Sequence, residues 1–413
     1  MNTAKWLDGQ SRQIVVAAVL AAVAVVPRST QAFDAPGATI QVTTTQDELV
    51  LDGDCSLREA VQAANTDSPV DACPAGSGPD TILLADGLYK LAIPGAGENE
   101  NQSGDLDLST DLRIVGSSPA ATIVGGAGLD RVFHIYGLVT VELVRMTIQG
   151  GNANDGGVYG GGGVLNQGGT LTLDACILKN NRAERTGGGL DNSGNGLLVD
   201  TMLQGNQASA GGGIFNDVTI ILRSAILLNN HATSTGGGLD NGNTASLTNV
   251  TLTGNTAPSG EAIFNDGTLA LYNSTLVDNP IKNMGSNGAR FLNTLLYNSQ
   301  GSENCLGDGI YTSEGHNLEN WDTCNFKAAN DLTNVEPLLD DLQDNGGPTP
   351  TFALQLGSPA IDAGDRIDCP DFDQRGAMRP EDGDGDGDPR CDIGAFELGG
   401  IFPEPLLMPL LIR

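Results

Sequence analysis

Apolar and polar positions alternate in short runs through the middle of the chain. Leu171/Leu173, Ile220/Leu222 and Leu269/Leu271 share one side of such runs; Thr170/Thr172, Thr219/Ile221 and Thr268/Ala270 take the other. Brief period-two runs bounded by Gly and Asn predict short strands. They sit inside a larger repeat. A glycine run, an apolar residue and an asparagine open each unit: Gly161 to Asn166, Gly187 to Asn192, Gly211 to Asn216, Gly236 to Asn241 and a degenerate Gly260 to Asn265. Each unit closes on Leu-x-x-Asn, and the closing residues Asn181, Asn206, Asn230, Asn255 and Asn279 lie 25, 24, 25 and 24 residues apart. So regular a period identifies a solenoid.

Leucine-rich repeats share this period but return through a helix or 3₁₀ turn. Here the return is Asn-x-Ala-x-x-x-Gly-Gly-Gly, a poor helix. The pattern therefore predicts an all-β chain, a right-handed parallel β-helix whose coils climb about 4.8 Å each. The closing asparagines would stack as an amide ladder. Five segments follow: a secretory signal over 1–32, an N-terminal cap over 33–100, β-helix repeats over 101–300, an irregular C-terminal segment over 301–398 and a short tail over 399–413.

In the cap, Ser56 and Glu59 form a capping box, and Leu57, Ala60, Val61 and Ala64 share one helical face. A short helix there would cover the open end of the β-helix, which is otherwise an unpaired edge. Val42 to Thr45, the run Cys55-Ser56-Leu57-Arg58-Glu59-Ala60 and Asp80-Thr81-Ile82 closely resemble the bacterial CSLREA domain. That resemblance implies an exported protein with a parallel β-helix behind the motif, and no catalytic residue. The Gly-Gly-x-Ile and Leu-x-x-Asn elements resemble polymorphic outer-membrane protein repeats, with Leu where that family has Phe. The proteins of that family are surface adhesins and autotransporters. This chain has no room for a C-terminal membrane barrel. Asn345 to Thr351, Gly357 to Gly364, Asp373 to Gly376 and Cys391 to Glu397 closely resemble the choice-of-anchor Q domain, which implies surface display or release.

Composition narrows the partners. The 413 residues include 57 Gly and only 4% aromatics, as suits a narrow β-helix core. A net charge of −31 argues against nucleic acid, because phosphate binding needs clustered Lys and Arg. Lys5 and Arg12 precede an apolar run from Ile14 to Val26, and Thr30-Gln31-Ala32 suits cleavage, so the chain reads as exported, to the extracellular space or the bacterial surface, with no transmembrane span in the mature form. Export permits disulfides. Candidate pairs are Cys55/Cys73, Cys305/Cys324 and Cys369/Cys391, all outside the repeats, although sequence alone leaves connectivity open. Cys176 shares a column with Thr201, Ala225, Val250 and Ser274 and reads as a core residue.

Candidate chemistry is sparse. Asp382, Asp384, Asp386 and Asp388 alternate with glycines, as in the first half of an EF-hand loop, and make a candidate structural Ca²⁺ site. The twelfth position is Ile393, so a complete EF-hand fails. Asp191 and Asp240 occupy equivalent positions two coils apart, about 9.6 Å, near the upper end for an inverting glycosidase pair. Phe215 lies between them. His134, His231 and His316 are scattered and carry no metal spacing. The expectation is a non-enzymatic exported protein in adhesion or contact with extracellular glycans or surfaces. The rival is a polysaccharide lyase or glycoside hydrolase of the pectate-lyase-like type, by analogy of fold. Since corners and ladders explain the recurring Gly and Asn, specific function should sit where coils differ: Leu165, Asp191, Phe215, Asp240, Phe264 or the acidic loop.

Overall fold

The computed structural model describes residues 37–154 and 159–403. The expected signal and most of the tail lie outside the described residues. One turn of the solenoid shows the plan. Its strands are Leu190–Asn192, Asn195–Val199, Met202–Gln204 and Gln207–Ala210. Each pairs in parallel with its counterpart in the next turn: Leu190 with Ile214, Asn195 with Thr219, Met202 with Ile226 and Gln207 with His231. Stacked turns build three parallel sheets of nine, eleven and eleven strands, the opening, long and closing faces, with a four-stranded lateral ribbon beside them. The chain is a right-handed parallel β-helix, as its pattern predicts.

Alternation sets the core. Val164, Leu190, Ile214, Leu239 and Ile263 point inward from the opening face; Leu173, Leu198, Leu222, Leu247 and Leu271 do so from the long face. Leu178, Leu203, Leu227, Leu252 and Leu276 complete the wall from the closing face, and every one of these side chains is buried. This explains the conserved spacing of the closing leucine within each turn: it is one column of the core. Cys176 is buried and donates to the Leu143 carbonyl at 3.2 Å; burial pushes its thiol up to about 12, so it is an inert core group.

Three left-handed corners per turn account for the glycines and many asparagines. Between the long and closing faces, Ala175, Asp200, Ser224, Asn249 and Asn273 all have φ between 47° and 54°. Gly187, Gly211, Gly236 and Gly260 hold a second such corner with φ from 61° to 67°. Beside that corner backbones approach closely. A Cβ on Gly212 would lie 2.5 Å from the His231 carbonyl group, so glycine is required there by contact.

Two amide ladders run through the stack. Asn181 donates to Asn206, Asn206 to Asn230, Asn230 to Asn255 and Asn255 to Asn279, at 2.7–3.1 Å. A second ladder links the opening asparagines, Asn166 to Asn192, Asn216, Asn241, Asn265 and Asn283, at 2.7–2.8 Å. The sequence marks these opening residues, but only the closing set reads from it as a ladder.

The sheets extend beyond residues 101–300 at both ends. Thr39–Gln41 and Asp80–Leu83 already belong to the long face, and the closing face continues to Leu332–Thr333. The cap is the helix Leu57–Thr66, with Ser56 and Glu59 in a reciprocal capping box. Disulfides join Cys55 to Cys73, Cys305 to Cys324 and Cys369 to Cys391, with Cα separations of 4.9, 5.0 and 5.9 Å. After an antiparallel hairpin of Leu339–Gln343 and Thr351–Leu354, the C-terminal segment lies along the closing side. Gln374 accepts from Thr251, the Ala395 amide donates to Thr275, and Arg379 donates to Asn273. Among the described residues, no helix is long and apolar enough to cross a membrane.

Candidate functional site

The outward side of the opening face carries one column in register: Asp107, His134, Leu165, Asp191, Phe215, Asp240, Phe264 and Lys282. It contains every variable repeat position singled out from the sequence. Asp191 and Asp240 are two strands apart in it, with Phe215 between them. Both are covered. Asp191 is 1% exposed and Asp240 7%, because the return loop of each turn folds over them. Asp191 Oδ2 accepts from the Thr186 hydroxyl at 2.5 Å and the Gly160 amide at 3.0 Å. Asp240 Oδ2 accepts from the Thr235 hydroxyl. Burial raises both carboxyls, and Asp240 reaches about 6. Thr-Gly-Gly-Gly-Leu-Asp in both turns is thus a loop fastener: the carboxylate pins the threonine that begins its own glycine corner.

The same column begins with a buried cluster that the sequence reading did not assemble. Asp107 lies on the strand Leu106–Leu108, Asp105 just before it, and His134 on the neighbouring strand Phe133–Tyr136. Asp107 pairs in register with His134. His134 Nδ1 lies 3.2 Å from Asp107 Oδ1, and Nε2 lies 3.0 Å from Gln167 Oε1. Asp107 Oδ2 accepts from the Asn101 amide at 2.9 Å. Arg131 donates to Asp105 Oδ2 at 3.1 Å. Asp105 is pushed up to about 7, first by burial and then by the charge of Asp107. Arg58 of the cap is fully buried, pairs with Asp47 at 2.6 Å and donates to the carbonyls of Gly104 and Asp105. The signal lay in Asp-Leu-Asp-Leu, since alternate strand residues share a face. Finding His134 beside it required the register of the first turns, where the glycine-asparagine signature is absent.

The acidic loop converges only in part. Asp382 and Asp384 come together with Asp362, one oxygen of each lying within 4.8 Å of the others. Asp362 came from outside the predicted set. Asp382 accepts from the Gly385 and Gly387 amides, and Asp386 from the Asp388 amide. Asp388 points away and pairs with Arg366 and Arg390. Ca²⁺ takes about six to eight oxygens, so three carboxylates supply at most a partial set.

The lateral ribbon presents a different surface. Asn152, Arg182, Gln207 and His231 stand in register along it, each on its own turn, and His231 meets Thr256 at 2.9 Å. Arg182, Gln207 and His231 are exposed. At its N-terminal end the ribbon borders an open groove lined by Asn152, Asn154, Asn180, Arg182 and Glu184, floored by Gly128, Gly150 and Gly151. His231 is therefore one of a polar row, which single-residue inspection of the histidines does not reveal. No family model, no curated protein and no solved structure matches this chain.

Proposed function

We propose that this chain is an exported surface or secreted protein that holds polyhydroxylated glycans on its lateral ribbon without cleaving them. The row Asn152, Arg182, Gln207 and His231, ending in the groove with Asn154, Asn180 and Glu184, carries the reading. Amide, guanidinium, imidazole and carboxylate groups offer donors and acceptors in fixed planes, which is what a chain of hydroxyls needs. Their repeat at about 4.8 Å along a rigid stack presents the groups to a linear polymer at little ordering cost. Three disulfides suit an oxidising compartment and support export. A structural role for calcium at Asp362, Asp382 and Asp384 is compatible with this function but not needed for it.

The lyase or glycosidase alternative gains little, since Asp191 and Asp240 lie beneath the return loops. A glycan array probed with the chain lacking residues 1–32 tests the reading. Binding should concentrate on a subset of linear glycans, and Arg182→Ala with Gln207→Ala should weaken it by about tenfold or more. Binding unchanged by that pair, or glycan cleavage abolished by Asp240→Asn, would overturn it.

A further inference from the structure

We propose that Asp105, Asp107 and His134 bind one divalent transition-metal cation, of the Zn²⁺ or Mn²⁺ class, as a structural ion beneath the N-terminal cap. One donor atom from each residue lies within 4.8 Å of the others. The three are 1%, 0% and 4% exposed. Two observations beyond this convergence point to a ligand. Asp105 Oδ2 accepts from Arg131, but its buried Oδ1 has no hydrogen-bond partner. A buried acceptor left unsatisfied is costly, and a cation would satisfy it.

The second observation is the setting of His134. Gln167 Oε1 faces Nε2 at 3.0 Å, placed to accept the proton that Nε2 would carry while Nδ1 ligates. Nδ1 lies 3.2 Å from Asp107 Oδ1. Without a metal a proton on Nδ1 bridges this pair as a hydrogen bond, and a bound cation would take that proton's place. Two ligands each about 2.0–2.1 Å from a tetrahedral metal lie about 3.3 Å apart, which matches the observed edge. Gln167 would be the outer partner that fixes the ring. An imidazole with two carboxylates favours Zn²⁺ or Mn²⁺ over the all-oxygen sets of Ca²⁺ and Mg²⁺.

The consequence is mechanical. Asp105 and Asp107 belong to one turn and His134 to the next, and Arg58 of the cap helix holds the carbonyls of Gly104 and Asp105. One ion would bind two turns to each other and, through Arg58, to the cap. Because the site is closed, the ion would enter during folding.

The test refolds the chain lacking residues 1–32 with EDTA, Zn²⁺, Mn²⁺ or Co²⁺, dialyses it, and reads metal content, melting temperature and the visible Co²⁺ spectrum. The expected result is one retained metal per chain and a melting temperature raised by about 5 °C or more. Asp105→Asn should lose the metal yet fold without it, and His134→Gln should lose the ligand-field bands. Asp382→Asn with Asp384→Asn should leave metal content unchanged, which separates this site from the acidic loop. A metal-free product with identical melting in all four conditions would overturn the proposal. So would metal that follows the acidic-loop variant, or an unchanged Co²⁺ spectrum in His134→Gln.

Discussion

Between Asn166 and Asn283 the buried polar side chains are amides, hydroxyls and the two carboxylates Asp191 and Asp240; the buried Arg58, Arg131, Arg375 and Arg379 all lie toward the ends. The contrast follows from symmetry. Within the stack each turn meets a copy of itself above and below. An asparagine gives its amide to one neighbour and its oxygen to the other, and no charge accumulates along the column. Identical charges stacked at about 4.8 Å would repel. At the ends the next turn is missing or unlike the last. Carbonyls then lack in-register partners, and a guanidinium with five donors reaches several at once. Arg58 takes two carbonyls and Asp47; Arg379 takes the Gly394 carbonyl, Asn273 and an ion pair with Glu397 at 3.3 Å. The disulfides follow the same division, since none lies in the stacked repeats.

The division breaks most sharply at Arg379. The Arg379–Glu397 pair is fully buried, and burial holds Glu397 above its ordinary range. Arg379→Met leaves that carboxyl without its cation. The docked C-terminal segment should lose about 3–5 kcal/mol. Hydrogen exchange over residues 344–400 should accelerate while the ladder turns stay protected; uniform loosening would show that the ends are not separate units. Next comes the cap. Cys55→Ser with Cys73→Ser opens a short loop and should cost about 3 kcal/mol. Proteolysis should then begin within residues 37–100, and cleavage first appearing in the repeats would contradict the comparison.

A single rung should matter less. Asn206 Oδ1 accepts from the backbone and side-chain amides of Asn181, and its Nδ2 donates to the Leu178 carbonyl and Asn230. Asn206→Ala strands those groups and should cost about 2 kcal/mol in urea denaturation. The same change at exposed Asn180, whose φ is 54°, should cost about 1 kcal/mol, the strain of alanine at a left-handed corner. Equal effects at the two positions would mean that the ladder bonds contribute nothing beyond helix-corner preference.

The stack was legible because its repeat is written in residue identity. Gly, Leu and Asn recur at fixed offsets, each for one physical reason: a left-handed corner, a core column or an amide ladder. Ser56 and Glu59 were legible because a capping box is local. The Asp105–Asp107–His134 cluster was not, since its members are joined by strand register in turns that lack the Gly-Asn signature. Asp191 and Asp240 were correctly placed in one column, but their burial depends on a return loop whose path sequence does not specify. Asp362 joins the acidic loop across 20 residues and leaves no local mark.

Asp240 tests the comparison in the opposite direction, because it is a charge site inside the neutral stack. Its folded value of about 6 lies above the unfolded value of about 3.9, with burial the main cause and the charges of Asp266 and Asp217 adding to it. The folded state therefore favours the protonated form. That contribution is fully present below about pH 4 and disappears as pH rises through about 6. Asp240→Asn keeps an oxygen to accept from Thr235 and removes the charge. The variant should match the wild type near pH 4 and exceed it at pH 7 by about 1 kcal/mol, less than the full shift because the loop can relax and admit water. Denaturation curves at pH 4, 5, 6 and 7 would read the difference directly. A deficit at pH 7 that does not change with pH would mean that the carboxylate earns its place through the Thr235 bond, and that the neutral stack tolerates a charge wherever a hydroxyl fastens it.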